Sequence, residues 1–239
     1  MKSIEIHVTS HKSHYSVNIG KDLFPYIDDM VDFSKFSALY IITDSNVVKY
    51  HHNEANTIFS SQTLDKYTHT FIMSAGEKNK NLSTVEKIYH DLAEKRVDRK
   101  ALIINLGGGV VTDIGGYVAA TYLRGISFIN IPTTLEAMVD ASVGGKTGVN
   151  LGNLKNYVGS FAHPLLVAAD ILTLKTLPDR VFLQGYAEVI KHALIADKEY
   201  FIDATSEKPL EMGDEKLIDI ISRSVEIKAQ IVQEDETFR

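Results

Sequence analysis

The chain has 239 residues, 44% of them hydrophobic and 23% charged, with a formal net charge of −6. That size suits one large domain or two smaller ones, and the acidic balance argues against nucleic-acid binding, which needs a basic surface. With no cysteine, disulfides, thiolate metal ligands and a thiol nucleophile are excluded, so a tight metal site must use histidine and carboxylate.

In chain order, Met1-Lys2-Ser3-Ile4-Glu5-Ile6-His7-Val8 alternates as a strand does. It lacks the apolar core of a secretory signal, which points to the cytoplasm. No run of ~20 apolar residues occurs, so no transmembrane helix is expected. Residues 37–44, around Ala38-Leu39-Tyr40-Ile41-Ile42, read as a buried parallel strand ending at Asp44. A carboxylate there suits either a ribose hydroxyl or a simple Asx turn. Thr68 to Met73 reads as another strand. Gly76-Glu77-Lys78-Asn79-Lys80, taken by itself, is a solvated charged connection. Leu82 to Glu94 is helical, with Leu82, Val85, Ile88, Tyr89 and Leu92 in helical apolar spacing. Residues 101–106 are continuously apolar again. This alternation predicts an α/β domain built on a mostly parallel sheet with helices on both faces.

The strand at 102–106 runs into Gly107-Gly108-Gly109-Val110-Val111-Thr112-Asp113, and a helix pattern follows. Glycines at a strand-to-helix turn let backbone approach a pyrophosphate. The spacing is not G-x-G-x-x-G, so a packing turn explains the triplet equally well. Asp113 is placed in the first helical turn, where a carboxylate suits the helix dipole. Arg124-Gly125 ends that helix. Ile131-Pro132-Thr133-Thr134 closes the next strand, with hydroxyls to cap a helix or hold phosphate. Gly144, Gly145 and Gly148 surround Lys146 in a loop that resembles a phosphate loop in chemistry without the G-x-x-x-x-G-K-[ST] spacing, and Lys155-Asn156 adds a second cation beside an amide. Each lysine alone is more often surface than site.

The pattern changes near Thr176-Leu177-Pro178. Residues 1–177 are expected to form the α/β domain, and 178–239 the start of an all-α domain. With only about sixty residues, that second part is small for a core of its own. No capping signal closes its last helix before Asp235-Glu236-Thr237-Phe238-Arg239, so the domain reads as truncated. On the helix from Val181 to Ala196, Glu188, Lys191 and His192 can share one face. They form a solvent-facing ion pair, or a metal site at Glu188 with Lys191 reaching an anion. A Glu188–His192 chelate needs further ligands, and the plainer reading of His192 is an ordinary helix histidine.

Together these segments resemble the 3-dehydroquinate synthase family of the sugar-phosphate cyclases. The matching residues are Gly107 to Asp113, Arg124-Gly125, Pro132-Thr133-Thr134-Leu135, Val139-Asp140, Ser142-Val143-Gly144-Gly145-Lys146-Thr147, Lys155-Asn156, Leu174 to Pro178 with Arg180, and Ala187-Glu188-Val189-Ile190-Lys191. The resemblance runs in order from about Asp44 onward. It implies an NAD-binding domain, a helical domain and a site between them. NAD contacts would come from Asp44, Glu77, Lys80, Gly108, Gly109, Asp113, Thr133, Thr134, Lys155 and Thr176. Substrate contacts would come from Arg124, Asp140, Lys146, Lys155, Asn156, Lys191 and Lys228. Glu188 would be one of three ligands to a divalent metal, zinc or cobalt, the other two being histidines in motifs that this chain lacks.

The implied substrate is 3-deoxy-D-arabino-heptulosonate 7-phosphate, an anionic sugar-acid phosphate, and the implied product is 3-dehydroquinate, in the shikimate pathway. The implied course is transient oxidation by NAD, phosphate elimination, re-reduction, ring opening and aldol closure. The resemblance also implies a cytoplasmic homodimer. Rival readings are a cyclase for a neutral sugar phosphate, a metal-dependent polyol dehydrogenase, and a non-catalytic nucleotide-binding module. The chain departs from the family pattern at Glu136, where an apolar residue is usual, at Ala141, usually serine, and at Leu154, usually glycine.

Overall fold

The computed structural model describes residues 1–8, 13–57, 68–205 and 210–234. The expected end of the last helix at Asp235 to Arg239 lies outside the described residues. The strands are β1 (Lys2–Val8), β2 (Ser13–Gly20), β3 (Leu39–Asp44), β4 (Thr68–Met73), β5 (Leu102–Gly107), β6 (Ser127–Pro132), β7 (Lys146–Leu151), β8 (Leu154–Phe161) and β9 (Leu166–Asp170). The helices are α1 (Ile27–Met30), α2 (Ser45–Thr57), α3 (Leu82–Glu94), α4 (Gly109–Thr121), α5 (Asp179–Ala196), α6 (Lys198–Thr205) and α7 (Lys216–Glu234).

Seven strands form one sheet in the order β1-β2-β9-β6-β5-β3-β4. Only the β1–β2 pair is antiparallel; the other neighbours are parallel. The α/β expectation is met, including helices on both faces. Strand β3 shows why. Leu39 and Ile41 pack with Phe24, Ile27 and Phe33 on one side. Tyr40 and Ile42 pack with Val85, Ile88 and Leu92 of α3 and Val111, Ile114 and Val118 of α4 on the other. A strand buried on both faces needs an unbroken apolar run, which is what its sequence supplies. Helix α3 follows the predicted bounds: Asn81 caps it through a 3.0 Å bond from the Thr84 amide. Its buried residues each contribute roughly 1.5–3 kcal/mol.

The helices after residue 178 close over the antiparallel end of the sheet. Ile6, Val17 and Ile19, with Val167 and Ala169, share one apolar cluster with Val189, Tyr200, Ile221 and Val225. Among the described residues no helix is long and apolar enough to cross a membrane.

Asp170 ties the end of β9 to the end of β2. Its carboxylate is 1% exposed and accepts from the amides of Leu23 (2.7 Å), Leu172 (2.9 Å) and Asp22 (3.1 Å). Removing it orphans three amides in a largely dry corner, so Asp170→Ala is expected to lose about 3 kcal/mol in urea unfolding. A loss well under about 1 kcal/mol would show that those amides find other partners.

The β7–β8 hairpin was not foreseen. The stretch around Lys146, expected as a phosphate-type loop, is instead a strand, with Gly148 opposite Gly159 in register. Glycine and polar residues mask the alternation there. The readable signal was Gly152-Asn153, a two-residue hairpin turn. The glycine-to-leucine departure at 154 costs no strain, because the positive φ angles fall on Gly152 (58°) and Asn156 (52°) while Leu154 lies within the strand.

Candidate active-site cleft

The chain leaves β3 toward β4 on one side of the sheet and resumes at β5 on the other. Open α/β sheets bind ligands where the strand order diverges in this way, outside the carboxyl ends of the strands. A cleft of about 950 Å³ lies there, at the upper end of the usual size for small-molecule sites. Its walls come from the ends of β3 and β5, the hairpin, and helices α5 and α7.

Asp44 lines the cleft and also makes the Asx turn: its Oδ1 accepts from the amides of Asn46 (2.8 Å) and Val47 (3.1 Å). Gly108 is the N-cap of α4 and has no side chain to cap the helix, so the first turn presents backbone to the cleft beside Gly109. Asp113 corrects the sequence reading. It lies beyond the first turn of α4, and its carboxylate is held by the Lys80 ammonium rather than by the helix dipole.

Lys80 corrects it too. The residue is 5% exposed, not part of a solvated connection. Its ammonium also donates to Asn156 Oδ1 at 2.6 Å. Asn150 then bonds backward to the same loop, donating its amide to the Lys80 carbonyl (2.9 Å) and its side chain to Glu77 Oε1 (2.8 Å). The Asn156 amide donates to Asn150 Oδ1 at 2.8 Å. These bonds lock loop 76–81 to the hairpin and set Glu77, Lys80 and Asn156 on one wall, with Lys146 and Lys155 beside them.

Burial pushes the Asp113 carboxyl up to about 6, against the opposing charge of Lys80. Protonation therefore removes a negative charge from the cleft and leaves Lys80 unbalanced. An anionic dinucleotide is expected to bind more tightly as pH falls through about 6, by roughly three-fold for one charge at this range. Calorimetric titration with NAD across about pH 7.5 to 5.5 checks this. Asp113→Asn should flatten the dependence; a wild-type affinity that weakens on acidification would contradict it.

The second wall begins at Thr134, whose Oγ1 accepts from the Ala137 amide at 3.2 Å. A π-helical turn follows over Ala137–Ala141, closed by the Ser142 amide on the Ala137 carbonyl (3.0 Å). Such turns re-aim side chains at functional sites. Here Asp140 reaches the cleft and accepts from Lys228 Nζ of α7 at 2.6 Å, and Lys228 also donates to the Asp140 carbonyl. Burial raises the Asp140 carboxyl, but the charge and hydrogen bond of Lys228 outweigh it and hold the group below its ordinary value. Burial likewise lowers Lys228, and Asp140 offsets only part of that. Glu136 also lines the cleft; partial burial, then the charges of Asp140 and Glu188, push it up.

On α5, Lys191 lines the cleft and pairs with Glu188. His192 is 3% exposed, and its Nδ1 is buried with no hydrogen-bond partner. Burial, then the charge of Lys191, holds its pKa below the ordinary value, so the ring is neutral near pH 7. Asp140, Glu188 and His192 each offer a ligand atom, all within 4.8 Å of one another. The Lys191–Glu188 ion pair is present, with the lysine side chain 51% exposed, and Asp140, 48 residues before Glu188, brings a second carboxylate to Glu188 and His192. The i,i+4 spacing was the available signal for His192.

Three expected site residues stand apart. Arg124 is exposed at the far end of α4, a 13-residue helix away from the glycine turn, and does not line the cleft. Thr133 is 4% exposed, its amide on the Gly107 carbonyl at 3.0 Å. The Thr176 hydroxyl bonds to His51 Nε2 at 2.8 Å, away from the lining.

The family model for the 3-dehydroquinate synthase N-terminal region matches residues 70–184, and the one for the C-terminal region matches residues 185–238. The 3-dehydroquinate synthase of Acetivibrio thermocellus is 42% identical over 236 residues, covering 98% of this chain and 65% of that protein. A structure of 2-deoxy-scyllo-inosose synthase, complexed with carbaglucose-6-phosphate, NAD+ and Co2+, superposes with a TM-score of 0.86 at 26% identity, over 98% of this chain and 64% of that one. The 2-epi-5-epi-valiolone synthase of Streptomyces hygroscopicus, with NAD+ and Zn2+ bound, gives 0.82 at 29% identity, over 92% and 62%. The chain thus spans about 65% of the length of the curated relatives it matches.

Proposed function

The chain belongs to the 3-dehydroquinate synthase family, and we propose that the protein is a 3-dehydroquinate synthase, a lyase that releases phosphate from 3-deoxy-D-arabino-heptulosonate 7-phosphate. It uses NAD and a divalent cation, zinc or cobalt, and works in the cytoplasm as a homodimer. The observation that carries this reading is the content of one cleft. It places the glycine turn, Asp44 and Asp113 beside Lys146, Lys155, Lys191 and Lys228. A dinucleotide site and a cluster of cations for a doubly anionic substrate adjoin, in a chain whose net charge is negative.

The residues suit both groups. A Cβ on Gly108 would fall 2.9 Å from Thr134 Cγ2, so only glycine leaves the helix start open to a pyrophosphate. The buried unpartnered nitrogen of His192 beside Asp140 and Glu188 suits a cation. NAD supplies a hydride acceptor regenerated within the turnover, and the cation a Lewis acid for the reacting alcohol. The chain supplies position and charge. Asp44, Gly108, Gly109 and Asp113, with Glu77, Lys80, Thr134 and Lys155, are assigned to the dinucleotide from the cleft wall, and Thr133 and Thr176, which stand apart from it, only as the family pattern implies. Lys146, Lys155 and Asn156 are assigned to one end of the substrate, Asp140, Lys191 and Lys228 to the other, and Arg124 to substrate as the family pattern implies. Glu188 is assigned to the cation. Of the segment 178–239, the described residues 178–205 and 210–234 are assigned to the helical part that carries cation and substrate contacts.

The test is substrate discrimination. Phosphate release should be far faster from the seven-carbon acid phosphate than from a neutral sugar phosphate such as glucose 6-phosphate. Faster turnover of the neutral compound would assign the protein to another branch of the cyclases.

A further inference from the structure

We propose that Asn150 is a positioning residue that couples the two ligands of the cleft, so that a bound dinucleotide tightens the binding of the sugar-acid phosphate and the reverse. The inference rests on the assignment of Glu77 and Lys80 to the dinucleotide and of Lys155 and Asn156 to the substrate. Asn150 itself does not line the cleft and acts through those residues.

The hairpin shows where it acts. The β7–β8 pairing holds Val149 opposite Val158 and Leu151 opposite Leu154, and is irregular between them. Asn150 on β7 therefore stands against Lys155, Asn156 and Tyr157 on β8. The surplus on β8 has to bulge out of the ladder, and a bulge next to a site re-aims side chains. Here it delivers Lys155 and Asn156 to the cleft wall. Asn150 pins that bulge, because its Oδ1 accepts from the Asn156 amide at 2.8 Å. Asn156 holds a positive φ of 52°, a conformation that a residue other than glycine keeps where its surroundings fix it.

The same residue grips the dinucleotide loop. Its backbone amide donates to the Lys80 carbonyl at 2.9 Å, and its side-chain nitrogen donates to Glu77 Oε1 at 2.8 Å. One carboxamide thus has its acceptor on the substrate bulge and its donor on the dinucleotide loop. Lys80 closes the ring by donating to Asn156 Oδ1 at 2.6 Å. A ligand that orders either segment also orders the other through this ring. The second ligand then loses less conformational entropy on binding, and the coupling is reciprocal by linkage.

Fluorescence titration of the 239-residue chain with NADH tests this, with Zn2+ present and with or without saturating 3-deoxy-D-arabino-heptulosonate 7-phosphate. NADH serves because it cannot oxidise the substrate, so the ternary complex does not turn over. The wild-type chain should bind NADH about fivefold or more tightly with substrate present, at the lower end of usual coupling between sites. In Asn150→Ala that factor should fall below about twofold, while NADH affinity without substrate stays nearly unchanged. Asn150→Asp keeps the size and the acceptor but sets a carboxylate against Glu77. It should lose the coupling too, and it carries the test if the alanine variant does not fold. Asn153→Ala, at the turn of the same hairpin, should keep the wild-type factor. A folded Asn150→Ala or Asn150→Asp with the wild-type factor would overturn the proposal. So would a wild-type NADH affinity that ignores the substrate, or an equal loss of coupling in Asn153→Ala. A wild-type chain that binds no NADH at all would overturn the dinucleotide reading itself, and the proposal with it.

Discussion

Gly108→Val is expected to weaken NAD binding by about a hundredfold, equivalent to about 2.7 kcal/mol. The turn between β5 and α4 leaves no room for a side chain. A Cβ there would lie 2.9 Å from Thr134 Cγ2 and 3.4 Å from Thr134 Oγ1. Valine adds two more carbons in the space that a pyrophosphate would enter. It also pushes on Thr134, whose hydroxyl caps the turn leading to Asp140. Gly108→Ala carries only the first contact and should lose about tenfold. Calorimetry with NAD measures both, and thermal unfolding separates binding from folding. Equal losses for the two variants would contradict the steric account, and an unaffected valine variant would remove the glycine turn from the dinucleotide site.

Lys146→Ala is expected to cut turnover by more than tenfold while leaving NAD affinity nearly intact. Lys146 opens β7 on the wall of the cleft, on the hairpin that Asn150 and Asn156 bind to loop 76–81. A hydrogen bond to a charged group is worth roughly 1.5–3 kcal/mol, which corresponds to about ten- to 150-fold. Assay of phosphate release measures it. An unchanged rate would remove Lys146 from the substrate site, and a matching loss of NAD affinity would place it on the cofactor instead.

Sequence reasoning reached the elements whose signals are local. The double-sided apolar run of β3 and the helical spacing of α3 declare themselves within ten or so residues. The glycine triplet at 107–109 marks a strand-to-helix turn even without the usual dinucleotide spacing. What escaped was what tertiary contact creates. Lys80 reads as solvated because lysine seldom goes inside, and only the fold shows Asp113 and Asn156 waiting for it. The hairpin hid behind glycine and lysine, whose β propensity is low. His192 looked ordinary because its neighbour Asp140 is 52 residues away and comes close only through a π-helical turn. Arg124 is the converse case. Motif order places it among the substrate contacts, and within one chain the length of α4 carries it away from the cleft.

As a member of this family with the proposed function, the protein would use a dinucleotide in this cleft as oxidant and then as reductant within one turnover. With NAD, Co2+ and 3-deoxy-D-arabino-heptulosonate 7-phosphate present, phosphate release and NADH absorbance should be followed together. Phosphate accumulating with no net rise in NADH is the expected result. NADH rising in step with substrate consumption would contradict it and make the protein a dehydrogenase.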